Sequence, residues 1–183
     1  MGSHAGYANR YPASFARFKA KDIPGTLAEG RKTKIAEYAN SVLYNDHVVA
    51  EIFKRYSQSR SIVIYVSDHG ETLFDDKRHP DFAGHTGNTL PDNVVRIPFV
   101  VYMSDSLRKE APELWQQILK AQNQPVMTDL LPNIFTGLLG IETKYSRPEL
   151  NVFSPHYNPK RQRMVIAVDG AKRVFPALHR SAQ

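Results

Sequence analysis

The segment 61–71 (SIVIYVSDHGE) constrains the fold of this chain more than any other. Its five consecutive apolar residues, 62–66, are β-branched or aromatic, and the run ends abruptly at polar residues and Gly70. Such a short continuous run is typical of a strand buried on both faces, as in parallel sheets. Because ligands bind just outside the carboxyl ends of strands in open α/β sheets, Asp68 and His69 lie where chemistry usually takes place.

A carboxylate next to an imidazole suits a borderline divalent ion such as zinc. The alternative is structural, since an Asp that follows a strand can simply cap the next turn. The other histidines favour the metal, because four of them can reach the same rim of the sheet: His4, His47, His79 and His85. Two of these, His4 and His85, stand in Gly-rich loops and not on apolar faces. They are therefore candidates for the same site as Asp68 and His69.

Composition narrows the class of protein. The chain has 183 residues, of which 42% are hydrophobic and 23% charged, which is ordinary for one globular domain. A net charge of +6 favours anionic partners such as phosphate headgroups or lipopolysaccharide. The densest basic run, 160–163, is short and lacks interleaved aromatic residues, so nucleic acid is not an expected partner.

Targeting signals are not evident in the sequence as given. No apolar run approaches the roughly 18 residues of a membrane helix, and no signal-peptide pattern opens the chain. Cysteine is absent, so there is no disulfide framework and the redox compartment is undefined.

Hydrophobic periodicity predicts a mixed α/β sheet. Apolar side chains recur at helical spacing from Lys32 to Tyr56, which predicts a long helix with one face on the sheet. The remaining segments predict a strand at 96–103, helices at 106–121 and 128–139, and a hairpin at 163–175 around Asp169-Gly170. The polar loop 71–93 is too long for a simple turn, and loops of that length in compact domains are often functional.

Six short segments, taken together and in order, resemble the alkaline-phosphatase/sulfatase superfamily, and more narrowly the phosphoethanolamine transferases that modify lipid A and the lipopolysaccharide core. They are MGSH at 1–4 with NRYP at 9–12, the helix segment 38–46, VSDHGE at 66–71, GHTG at 84–87, RIPF at 96–99 and TDLLP at 128–132. The resemblance implies an alkaline-phosphatase-like α/β/α sandwich with a mixed sheet, incomplete at its N-terminus.

The resemblance also implies a function and a location. Enzymes of this type carry a membrane-embedded N-terminal part and a periplasmic catalytic domain at the bacterial inner membrane. They move phosphoethanolamine from phosphatidylethanolamine onto a threonine, and then onto a sugar or phosphate of lipopolysaccharide or lipid A. The expected cofactor is therefore Zn²⁺, and the expected partners are these two lipids.

Carried over residue by residue, the resemblance assigns roles within the site. Asp68 and His69 are implied as two ligands of the catalytic zinc. His4 and His85 are implied as a second pair, which contacts the phosphoryl group or a second metal. Glu71 is implied as a carboxylate behind the ligands that orients a histidine.

One feature of the family pattern is missing. No Thr in this chain stands in the context of the family's nucleophile, and Thr86 matches the histidine loop instead. We therefore expect 1–183 to be the C-terminal portion of a sulfatase-like catalytic domain that is inactive alone, with the membrane part and the nucleophile upstream. The alternatives are a sulfatase-like or phosphodiesterase hydrolase and a non-catalytic remnant. His79, His156 and His179 are interpreted as solvated loop residues.

Overall fold

A computed structural model describes residues 2–85, 91–167, 169–170 and 172–175, and it shows helices and strands in a mixed α/β arrangement. The helices are α1 (Glu29–Tyr56), α2 (Asp92–Val95), α3 (Asp105–Glu110), α4 (Pro112–Lys120) and α5 (Leu131–Leu138). The strands are β1 (Ile62–Val66), β2 (Thr72–Leu73), β3 (Ala83–Gly84), β4 (Phe99–Met103), β5 (Arg163–Ile166) and β6 (Lys172–Phe175). Thr86 and His179 lie outside the described residues.

The strands of the described part pair two by two. β1 lies beside β4, β2 is antiparallel to β3, and β5 is antiparallel to β6. The hairpin predicted around Asp169-Gly170 is confirmed, with Ile166 opposite Lys172. Gly170 has a φ of 82°, a left-handed conformation that favours glycine over residues with a side chain.

The central strand is confirmed at Ile62–Val66, although its side chains are only partly buried and not enclosed on both faces. The second predicted strand begins later than expected, at Phe99 and not at Arg96. The residues just before the predicted start form the short helix α2. Pro98 has no N–H to donate to a neighbouring strand, so it does not extend the pairing of β4.

The long helix is confirmed, and it begins three residues before the predicted start. Phe53 stacks on Tyr102 of β4 with ring centroids 5.0 Å apart, so this part of the helix packs on the sheet as expected. Other members of the predicted apolar face are exposed, namely Val42, Ile52 and Tyr56. The buried positions of the helix are instead small or polar residues: Ala36, Asn40 and Ser41.

The predicted helix 106–121 is wrong as a single element, because the chain breaks into α3 and α4. Pro112 is the first residue of α4, where its missing N–H costs nothing. Ala111 before it has left the helical region, with φ −124° and ψ 63°, as expected for a residue that precedes a proline. A proline within an amphipathic pattern therefore ends one helix and starts the next.

Contacts divide the chain into two compact units. The first comprises Met1–Gln58, Val63–Thr86 and Pro91–Tyr102, and it contains all the candidate site residues. The second comprises Ser59–Ile62, Gly87–Leu90 and Met103–Gln183. Its described buried apolar residues include Met103, Ile118, Leu130, Ile134, Val152 and Phe153. Among the described residues, no helix has both the length and the apolar character needed to cross a membrane.

Asn40 ties the N-terminal loops to α1. Its side chain is buried, with the residue 2% exposed. The Oδ1 atom accepts hydrogen bonds from the backbone N–H groups of Arg17 and Phe18, at 2.9 and 2.8 Å. The Nδ2 atom donates to the carbonyl of Phe18 at 3.0 Å. One side chain thus satisfies three backbone groups of a loop that has no regular ladder of its own.

We predict that Asn40→Ala lowers the free energy of unfolding by about 2–3 kcal/mol, because it leaves buried backbone groups without partners. Urea denaturation of the purified chain measures this. Thr33→Ala is the control, since its hydroxyl bonds the Glu29 carbonyl on an exposed face of the same helix, and a change within about 0.5 kcal/mol is expected there. Equal effects of the two substitutions would contradict the anchoring role.

Candidate metal centre

The pairing of β2 with β3 brings Glu71 and His85 together. Thr72 lies opposite Gly84, so the residues just outside the paired segment, Glu71 and His85, emerge at the same end. The Nδ1 atom of His85 lies 2.9 Å from Oε1 of Glu71. The Glu71 side chain is only 3% exposed. A buried carboxylate is costly unless it is paired, and the imidazole is its partner here.

This hydrogen bond fixes which nitrogen of His85 is available. A carboxylate can only accept, so the ring donates from Nδ1 and its Nε2 atom is left for another partner. The same arrangement holds at His69, whose Nδ1 lies 2.8 Å from the carbonyl oxygen of Gly70. A second hydrogen bond of this kind is the usual device that orients histidines that bind metals.

Three imidazoles converge at this point. His4, His69 and His85 each offer one ring nitrogen, and these three atoms lie within 4.8 Å of one another. The rings of His69 and His85 are stacked with centroids 3.8 Å apart, and the ring of His4 lies 5.1 Å from that of His85. Two ligands about 2.0 Å from a tetrahedral zinc lie roughly 3.3 Å apart. The donor set therefore fits zinc in its chemistry, and its nitrogens lie within 4.8 Å of one another.

Asp68 lies at the edge of this group and not within it. Its side chain is 89% exposed, and Oδ2 lies 3.8 Å from Nε2 of His69. Its Oδ1 accepts the backbone N–H of His69. Desolvation raises the pKa of Asp68, but the hydrogen bond from His69 and the charges of His69 and His4 outweigh it, so the pKa is lowered overall. The carboxylate is ionised and close enough to share an ion with His69.

The turn after β1 depends on a close approach of two backbone segments. The N–H of Gly70 donates to the carbonyl of Val94 at 2.7 Å. A Cβ atom at position 70 would lie 2.0 Å from the carbonyl oxygen of Asn93. Only glycine fits at this position, which lies between His69 and Glu71 in the chain.

No motif in the sequence indicated that Tyr7 belongs to this site. Tyr7 is 4% exposed, and its ring meets that of Tyr38 edge to face with centroids 5.2 Å apart. Burial, followed by a hydrogen bond to the Glu71 carboxylate, raises the pKa of Tyr7 well above its usual range. The only local signal was an aromatic residue just after His4, and nothing in the sequence could connect it to Glu71.

Other histidines of the described chain do not join the three. The Nδ1 atom of His79 lies 3.0 Å from Oδ2 of Asp76, so this half-exposed histidine is hydrogen-bonded within its own loop. His156 is exposed, in agreement with the prediction of a solvated residue. His47 is exposed on α1 and contacts the ring of Phe15.

The family of the chain follows from comparison with known proteins. The family model described as Sulfatase matches residues 1–141, so the chain belongs to the sulfatase family. The chain is 36% identical over 104 residues to a Kdo(2)-lipid A phosphoethanolamine 7''-transferase of Salmonella typhimurium. That alignment covers 57% of this chain and 18% of the relative. This chain is also 25% identical over 181 residues to the phosphoethanolamine transferase EptC of Escherichia coli. The second alignment covers 92% of this chain and 31% of the relative.

Solved structures confirm the fold class. The C-terminal periplasmic domain of EptC from Escherichia coli, in a complex with Zn, matches with a TM-score of 0.80 and 25% identity. The match covers 90% of this chain and 46% of that chain. The corresponding domain from Campylobacter jejuni has a TM-score of 0.67 at 24% identity, which supports the fold alone. The alkaline-phosphatase-like α/β fold expected from the sequence is thus correct.

We predict that Gly70→Ala weakens zinc binding by this chain and lowers its thermal stability, because the new methyl group collides with a backbone oxygen that has no freedom to rotate away. Calorimetry with zinc and a thermal melt measure the two effects. The control is Gly30→Ala in α1, where nothing lies within 4 Å and the helix gains up to about 1 kcal/mol. A Gly70→Ala chain with unchanged zinc affinity and stability would contradict the close approach.

Asp76 generates a prediction about acid stability. A hydrogen bond from the His79 ring, and then one from the Arg78 backbone, lower the pKa of Asp76 to about 2. Since an unfolded Asp titrates near pH 3.9, the folded pKa is depressed, and the stabilisation is present above about pH 4. It is lost as the pH falls towards 2. We predict that His79→Ala raises the pKa of Asp76, measured from the carboxyl ¹³C shift, while His156→Ala leaves it unchanged. An unaltered Asp76 titration in His79→Ala would rule out this cause.

Proposed function

We propose that this chain supplies the metal-binding part of a zinc-dependent phosphoethanolamine transferase that acts on lipopolysaccharide or lipid A, with phosphatidylethanolamine as the donor. Membership of the sulfatase family and the named activities of the relatives support this proposal. The observation that carries it is the convergence of three histidine nitrogens within 4.8 Å. The periplasmic face of the bacterial inner membrane is the proposed place of action, and the related EptC domain is periplasmic.

In this proposal, Asp68 and His69 hold the zinc. The free Nε2 of His69 and the ionised Asp68 carboxylate, 3.8 Å apart, support this pairing. Zinc is also bound in the crystal of the related EptC domain. When bound, such an ion supplies positive charge that polarises a phosphoryl oxygen.

His4 and His85 contact the phosphoryl group or a second ion. Because Nδ1 of His85 is committed to Glu71, its Nε2 is available in one of two ways. When Nε2 is unprotonated, its lone pair binds a metal. When Nε2 is protonated, it donates a hydrogen bond to a phosphoryl oxygen. Fixed donors of this kind act mainly by positioning the group and stabilising its charge.

The overall transfer exchanges one P–O bond for another. The bond from phosphorus to the diacylglycerol oxygen breaks, and that oxygen takes up a proton. A P–O bond to the acceptor forms as the acceptor hydroxyl or phosphate gives up its proton. No residue of this chain is assigned the role of nucleophile. The net charge of +6 favours an anionic acceptor.

We predict that the chain binds one zinc ion. We also predict that His69→Ala and Asp68→Asn each lower the zinc affinity on the order of 100-fold, which equals or exceeds the loss typical when a residue that hydrogen-bonds to a metal ligand is replaced. Isothermal titration with zinc and elemental analysis give affinity and stoichiometry. His156→Ala is the control, because that exposed histidine is distant in sequence and outside the three-histidine group. Equal affinities in all four proteins would contradict the assignment.

A second assay separates transfer from hydrolysis. The full-length gene product is incubated with mixed vesicles of phosphatidylethanolamine and lipid A, and the lipids are analysed by mass spectrometry. A transferase places phosphoethanolamine on the acceptor in wild type and not in His69→Ala. Release of free phosphoethanolamine, with no modified acceptor, would favour a hydrolase of the same family and contradict the transferase.

A further inference from the structure

The β2–β3 hairpin, which places Glu71 beside His85, is very short. Its two strands are two residues long each. Isolated two-stranded hairpins are at best marginally stable in water, even when they are longer than this one. Glu71 and His85 lie at one end of the ladder, and the loop 74–82 joins the strands at the other end. The alignment of Glu71 with His85 therefore depends on what holds this loop.

Arg31 of α1 contacts both sides of the 74–82 loop. Its Nη1 donates to the carbonyl oxygen of Pro80 at 3.3 Å, and its Nη2 lies 2.5 Å from Oδ1 of Asp81. The guanidinium also lies over the ring of Phe74, 5.0 Å from the ring centroid. Phe74 directly follows β2, whereas Pro80 and Asp81 lie on the β3 side. One planar cation thus joins the two arms of the hairpin to the long helix.

Phe74 has a backbone conformation that needs support from its surroundings. Its φ of 65° is left-handed, and within the described part of the chain it is the one residue other than glycine with a positive φ. A bulky side chain disfavours this conformation, which persists only where neighbouring groups enforce it. The N–H of Phe74 donates to the carbonyl of Phe82 at 2.9 Å, and the Arg31 guanidinium covers its ring. Arg31 therefore contacts the loop at its strained residue.

The contacts of Arg31 differ in how much they contribute. Arg31 is the third residue of α1, where the helix dipole opposes a cation, so its stabilising contacts are the tertiary ones. The ion pair with Asp81 contributes little, because the Asp81 side chain is 82% exposed. The ring of Phe74 and the carbonyl of Pro80 use the flat face and the edge of the guanidinium at the same time, which an ammonium group cannot do.

We propose that Arg31 is a positioning residue for the metal centre. Its contacts on both sides of the 74–82 loop fix the spacing of the two arms of the hairpin. They thereby hold the His85 ring on the Glu71 carboxylate, 2.9 Å away, and direct Nε2 of His85 at the metal or phosphoryl group. This inference rests on the proposed function for the identity of what His85 binds. The alignment of His85 with Glu71 is itself a property of the metal-free chain.

The test compares Arg31→Ala with Lys34→Ala, which removes the same charge from an exposed position of the same helix. The imidazole ¹⁵N shifts of the metal-free chain report which nitrogen of His85 carries the proton. We expect an Nδ1–H tautomer in wild type and in Lys34→Ala, and a mixture of tautomers in Arg31→Ala. Zinc affinity should fall about 5-fold in Arg31→Ala, less than the roughly 10-fold loss expected for a direct partner of a metal ligand. It should stay unchanged in Lys34→Ala.

Three further variants identify the contacts that act. Arg31→Lys keeps the charge and loses the planar fork, so the mixture of tautomers should persist. Phe74→Leu keeps an apolar side chain and removes the ring beneath the guanidinium, so it should also give a mixture. Asp81→Asn removes only the exposed ion pair, so His85 should remain as in wild type and zinc affinity should change by less than about 2-fold.

The outcomes separate this inference from the proposed function. A wild-type His85 tautomer in a folded Arg31→Ala chain would overturn the role of Arg31, and so would an equal effect of Lys34→Ala. If a thermal melt shows that Arg31→Ala does not fold, Phe74→Leu decides by the same signal. A mixture of tautomers in Arg31→Ala, together with a wild-type chain that binds no zinc, would support the role of Arg31 and count against the zinc-dependent function.

Discussion

The hydrogen bond between the His85 ring and the Glu71 carboxylate is the interaction on which the rest of the site depends. It pairs a carboxylate that burial would otherwise penalise, and it decides which nitrogen of the imidazole faces outward. The short β2–β3 ladder brings the two residues together. Burial and the same carboxylate raise the pKa of Tyr7. A buried polar network of this kind is stable only when every member has its partner.

Close backbone approach and hydrogen bonds to the backbone position the surrounding loops. The turn after β1 lies so close to Asn93 that position 70 has no room for a side chain. The His69 ring is hydrogen-bonded to the carbonyl of the same Gly70, so the fixed backbone also orients the imidazole. The N-terminal loops are fastened to α1 by Asn40 in a similar way. Loops held through their own polar groups can carry functional side chains on a fixed frame.

Local patterns in the sequence predicted much of this structure, and contacts distant in sequence account for what they missed. β1, the long helix and the C-terminal hairpin each have a periodicity or turn signal within a few residues, and all three are confirmed. Pro112 could have predicted the break between the two helices, but the amphipathic pattern on both sides of it favoured one continuous helix. Tyr7 could not be recognised, because its polar partner comes much later in the chain. The exposure of Asp68 likewise depends on tertiary packing.

The most direct test of this account is the zinc K-edge X-ray absorption spectrum of the chain loaded with one equivalent of zinc. The account predicts multiple scattering from at least one and up to three imidazole rings, together with nitrogen or oxygen ligands at about 2.0 Å. It also predicts that His69→Ala loses part of the imidazole signal. A spectrum without imidazole scattering, or one identical in wild type and His69→Ala, would contradict a metal centre built on these histidines.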